Sequence, residues 1–130
     1  MLPITSIFAS LATVMYIVLA FRIIAIRRSQ RISLGTGSDP RLETRIRQHG
    51  NFSEYVPLTL ILMGLAELQG ASTLLMILLG LALLAGRIAH VVGLEMMARP
   101  IGLKLRTFGV LTCFAVLIIL VITLLAIALF

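Results

Sequence analysis

Apolar residues fill four long blocks of this chain, roughly residues 4–26, 52–68, 72–94 and 108–130. Each approaches the ~20 residues that carry a helix across ~30 Å of hydrocarbon. The second block is extended backwards by a polar stripe, and the last is preceded by a basic entrance. The pattern therefore predicts helices over about 4–26, 41–68, 72–95 and 104–129. The expected fold class is an all-α integral membrane protein, one four-transmembrane-helix bundle over residues 1–130, with no room for a separate soluble domain. The first block lacks the leading basic residues of a cleavable signal and its apolar run is too long for one, so it is read as a retained helix.

Polar residues inside this framework stand out by their spacing. Arg47, Asn51 and Glu54 lie at i, i+4 and i+7, which puts a cation, an amide and a carboxylate in one stripe of a helix. A bilayer penalises such groups by several kcal/mol each unless they face protein or a polar ligand. Pro57 follows and removes one helical hydrogen bond, which either splays the polar end from its neighbours or is simply tolerated. In the third block Arg87, His90 and Gly93 share a face, and Gly80, Gly86 and Gly93 offer small surfaces for close approach. Two outcomes are open: Arg47 and Arg87 pair with Glu54 across helices, or the set grips a zwitterionic ligand rich in carboxylates.

The only stretch dense in turn residues is Ser33–Pro40. It predicts a loop in which Asp39 caps the second helix and Pro40 takes its first position. Gly35-Thr36-Gly37 within it is too short for a phosphate loop.

Composition supports the membrane reading, with 60% hydrophobic and 12% charged residues and a mean hydropathy of +1.13. The net charge of +6 would fit nucleic acid only if spread over an accessible face, and it is not. Six arginines (27, 28, 31, 41, 45, 47) oppose Asp39 and Glu43 between the first two blocks, a net of +4. Arg99, Lys104 and Arg106 against Glu95 give +2 after the third, whereas the intervening connection carries only Glu67. Basic residues in alternate connections predict a multi-pass protein with both basic loops cytoplasmic and both termini on the opposite side, in contact with anionic membrane lipid and not with nucleic acid.

Cys113 is the single cysteine and lies inside an apolar block, so an intramolecular disulfide and a cysteine-based metal site are excluded. His49 and His90 have no adjacent carboxylate pair, and no metal is expected.

The run Arg47-Gln48-His49-Gly50-Asn51-Phe52-Ser53-Glu54-Tyr55-Val56-Pro57 resembles the second-helix signature of the MAPEG family, the membrane-associated proteins of eicosanoid and glutathione metabolism. Asn51-x-Ser53-Glu54-Tyr55-x-Pro57 is close to its form in the cysteinyl-leukotriene synthase and the lipoxygenase-activating protein. Arg27-Arg28-Ser29-Gln30-Arg31-Ile32-Ser33 is similar to the basic run after that synthase's first helix, and Arg87-Ile88-Ala89-His90 to a motif of the microsomal prostaglandin E synthase. The compact length resembles a bacterial member of the microsomal glutathione transferase type.

The resemblance implies a homotrimer that binds glutathione between neighbouring subunits near the cytoplasmic side. It assigns glutathione contacts to Arg47, Asn51, Glu54 and Tyr55 on the second helix, to Arg27 at the end of the first, and to Arg87 and His90 from the third helix of the adjacent subunit. Arg28 matches a position with a proposed role in proton transfer. Arg106 is the expected holder of the glutathione thiolate, with Lys104 and Arg99 as alternatives. Several members carry a tyrosine one turn after the His90 position, where this chain has Leu94.

The implied activity is a glutathione transferase or peroxidase in which the thiolate attacks a lipophilic electrophile or reduces a lipid hydroperoxide. The competing reading is a non-catalytic lipid- or glutathione-binding protein of the same fold, like the lipoxygenase-activating branch. A four-span drug exchanger would need a carboxylate in the first helix, and that helix has Arg22 but no Asp or Glu.

Overall fold

A computed structural model describes all 130 residues as four helices: α1 (Pro3–Gln30), α2 (Pro40–Leu68), α3 (Thr73–Glu95) and α4 (Pro100–Leu129). Three of them begin with a proline at the first positions, where the missing N–H would have had no partner. Asp39 caps α2 by accepting from Arg41 N at 2.7 Å and Leu42 N at 3.4 Å. Ser72 does the same for α3 through Leu75 N at 3.3 Å. α1 runs past the expected edge at residue 26 to Gln30 and stops where Arg31 turns left-handed at φ 56°. α4 starts at Pro100 rather than 104, because proline opens a helix readily and the basic entrance is already helical.

Only 25 of the 130 residues are buried, so most of the apolar surface faces outward. On α4 the outward set includes Leu111, Phe114, Ile118 and Ile122, and on α1 Val14, Ile17 and Phe21. That is a membrane protein's surface, since water would not tolerate so continuous an apolar shell. α1, α3 and α4 are each long and apolar enough to cross a bilayer. α2 spends its first half on charged side chains. The interior is a column of Phe8, Phe52, Met63, Met76, Leu83 and Val116.

The helices pack closely where glycine permits. A Cβ on Gly109 would lie 2.5 Å from Gly86 O, and one on Gly93 would lie 2.5 Å from Arg106 N. α3 and α4 therefore touch backbone to backbone at two levels, seven residues apart on α3, as small-residue seams do in membranes. A third close contact sets Phe8 of α1 over Gly80 of α3. At the end away from the basic connections, Glu67 of α2 accepts from Ile4 N at 2.8 Å and Thr5 N at 2.7 Å, supplying acceptors for the free N–H groups that open α1.

Candidate functional site

At the end carrying the two basic connections, α2, α3 and α4 enclose a cleft of about 550 Å³. α2 contributes Arg47, Asn51 and Glu54 from consecutive turns of one face, with Gly50 between them leaving the floor open. α3 contributes His90 and Leu94, and α4 contributes Arg106. The Gly93 contact places Arg106 here: with no Cβ on Gly93, the α4 backbone at Arg106 settles against α3 and its side chain reaches the cleft. Arg47, Glu54 and Arg106 are exposed and His90 is 4% exposed.

Two of the expected contacts sit behind the cleft. Arg87 is 2% exposed, and its guanidinium donates to Asn51 Oδ1 at 2.8 Å and Gly109 O at 2.7 Å. Its Nε is buried without a partner. The Tyr55 ring lies 5.7 Å from the guanidinium carbon and meets Phe114 edge-on at 5.6 Å between centroids. Arg87 thus ties α3 to α2 and α4, and Tyr55 covers it. No carboxylate neutralises this buried cation: Glu54 makes no ion pair, so of the two outcomes left open by the sequence the pairing with Arg47 or Arg87 does not form.

Within one chain α3 already brings Arg87 and His90 to the α2 stripe, whereas the resemblance assigned them to the third helix of an adjacent subunit. Asn51 and Arg87 bond within one chain, and His90 faces the same chain's Arg47, Asn51 and Glu54. Arg27 and Arg28 lie outside the cleft, where Arg27 donates to Ser33 O at 3.4 Å and Arg28 is exposed. Of the three basic candidates near the start of α4, Arg106 lines the cleft and Arg99 and Lys104 do not. Pro57 lies away from it too, lining a small apolar groove between α1 and α2 with Tyr16 and Phe52.

One polar group escaped the sequence reading. Gln48 is fully buried on the reverse face of α2, where its amide donates to Val91 O at 2.9 Å and Glu95 Oε1 at 3.0 Å. Glu95 also pairs with Arg22 of α1 and Arg45 of α2. The signal was present: Gln48 falls, like Thr59, on the stripe of α2 that otherwise carries Leu42, Phe52, Val56 and Met63. His49 points elsewhere, with its ring 4.6 Å from that of Tyr16 on α1.

The cleft holds Arg47, Arg106 and, just behind them, Arg87, against the single carboxylate of Glu54. Its volume falls in the range of roughly 300–1,000 Å³ used by small-molecule sites. A four-helix membrane protein with a cationic cleft at one end is the class that fold and site define. A sequence model of the MAPEG family matches residues 5–126, and the chain belongs to that family. It is 33% identical over 90 residues to "Inner membrane protein YecN" of Escherichia coli strain K12, covering 69% of each chain. The protein of the same name from Escherichia coli O6:H1 strain CFT073 matches to the same extent. No three His, Cys, Asp or Glu side chains come together as a metal site would need.

Proposed function

We propose that the protein is a membrane-bound glutathione transferase, with peroxidase activity toward lipid hydroperoxides, acting as a homotrimer whose α2 completes a fourth span. The observation that carries this reading is the convergence of Arg47, Asn51, Glu54, His90 and Arg106 from three helices on one cleft with more cationic than anionic groups. Glutathione has two carboxylates and one ammonium, and its thiolate form has a net charge of −2. Three arginines against one glutamate match that charge. Arg47 takes a carboxylate with a fixed fork of donors, Glu54 takes the ammonium, and Asn51, already held by Arg87, orients the peptide.

Arg106 is the catalytic residue. A guanidinium beside the sulfur favours the thiolate, and the thiol proton leaves to solvent. The sulfur then attacks the electrophilic carbon, forming a C–S bond while the leaving group departs with its electron pair. With a hydroperoxide, two glutathiones are oxidised to the disulfide as the peroxide is reduced to alcohol and water. The bilayer concentrates the lipophilic substrate beside the cleft. The basic end faces the cytoplasm, where glutathione is available, and Arg27 and Arg28 reach the cleft of a neighbouring protomer from its flank.

The test is conjugation of glutathione to 1-chloro-2,4-dinitrobenzene by detergent-purified protein. Arg106→Ala should lower turnover about a hundredfold, the scale of losing one charge-stabilising donor, with glutathione still bound. An inactive wild type that binds glutathione would transfer the reading to a binding protein of the same fold.

A further inference from the structure

We infer that Glu95 is a positioning residue for the cleft: with Gln48 it clasps α2 to α3 on the reverse face and so sets the separation of the walls that hold Arg47 and His90. This rests on the proposed glutathione site for its functional readout, though not for its geometry.

Gln48 follows Arg47 directly in sequence, so the backbone that aims Arg47 into the cleft is the one its amide anchors. The anchor points, Val91 O at 2.9 Å and Glu95 Oε1 at 3.0 Å, lie on the turn of α3 that follows His90 and includes Leu94. Deeper in the bundle, Arg87 joins Asn51 and Gly109 O. The cleft is therefore fixed at two levels, by the Arg87 latch near its floor and by the Gln48–Glu95 clasp near its rim.

The clasp depends on charge. Glu95 is the only carboxylate that meets Arg22 and Arg45, whose side chains are 31% and 23% exposed. Without its negative charge, α3 loses its ionic hold on both cations, Arg45 keeps only Gln48 Oε1 at 3.3 Å, and the repulsion between Arg22 and Arg45 shifts α2 relative to α3. α1 supplies no side chain to the cleft lining, so a change at Arg22 or Glu95 reaches the ligand only by moving α2 against α3. A displacement of this kind costs binding, because several charged contacts must be met at once.

The experiment compares Glu95→Gln, Glu95→Asp and Glu67→Gln with wild type in detergent. It measures glutathione affinity by calorimetry, thermal melting, and the rate at which Ile46→Cys, a position lining the cleft, is alkylated in a Cys113→Ser background. Glu95→Gln should raise the glutathione Kd about tenfold and speed alkylation several-fold, with Glu95→Asp restoring most of both. Glu67→Gln, which loosens the opposite end, should lower the melting temperature without changing either. A wild-type Kd and alkylation rate in Glu95→Gln, or equal changes in Glu67→Gln, overturns the inference. If wild type binds no glutathione but Glu95→Gln still speeds alkylation, the clasp stands and the glutathione reading falls.

Discussion

The Arg87 guanidinium donates to Asn51 Oδ1 at 2.8 Å, joining the most buried cation of the chain to a residue of the cleft wall. The pair explains why an arginine survives in an apolar span: its charge is spread over Asn51, the Gly109 carbonyl and the face of Tyr55. Asn51→Ala leaves that cation one acceptor short, and should cost about 1–2 kcal/mol of stability. Arg87→Met removes the cation itself, so the double variant should lose less than the sum of the two single changes. Unfolding in mixed detergent micelles measures all three, and strict additivity would show that the pair is not coupled.

Gly93 should be far less tolerant than Gly50. A Cβ at Gly93 would stand 2.5 Å from Arg106 N and 2.8 Å from Gly102 O, both backbone atoms that cannot turn aside. Gly93→Ala therefore pushes α4 off α3, costing about 1–3 kcal/mol and withdrawing Arg106 from the cleft. A Cβ at Gly50 meets nothing within 4 Å, so Gly50→Ala should keep the fold and gain roughly 0.5–1 kcal/mol of helix stability. Melting temperatures paired with turnover decide it, and a fully active Gly93→Ala would break the link between the glycine seam and the arginine.

The features legible in the sequence were those with a local period. Arg47, Asn51 and Glu54 share a face because three and four residues make a turn, and Asp39-Pro40 opens α2 for reasons contained in those two residues. That His90 and Arg87 stand beside the α2 stripe within the chain was not local. It depends on α3 packing beside α2, which the Arg87–Asn51 bond and the Gln48 clasp hold through residues far apart in sequence. Glu67 was visible only as a lone charge, because the N–H groups it caps lie at the start of α1. Arg106 could be distinguished from Arg99 and Lys104 only once the register of α4 against Gly93 was fixed.

Acid stability should show the mark of Asp39. The Arg41 side chain, and after it Gln30, hold its carboxyl down to about 2, below the ordinary value of ~4. Because the folded value is the lower one, this stabilisation is complete above pH ~4 and is lost as the pH falls toward 2. Asp39→Asn keeps a capping oxygen but cannot titrate. The melting temperature of wild type should fall more steeply than that of Asp39→Asn between pH 4 and 2, and parallel curves would remove Asp39 from the account.

Glu54 offers the sharpest test of how a ligand would sit in the cleft. It is exposed, lines the cleft and makes no ion pair in the protein, so its carboxylate is free for a cationic group. If that group is the glutathione ammonium, Glu54→Ala should raise the Kd about tenfold, the scale of one charge-assisted hydrogen bond. N-acetylated glutathione has no ammonium and should bind wild type and Glu54→Ala alike. Arg47→Ala, which removes a carboxylate partner, should weaken both ligands by the same factor. Calorimetric titration of the two ligands against the three proteins separates the contacts. Equal losses for both ligands in Glu54→Ala would mean that the glutamate shapes the cleft rather than meeting the amine.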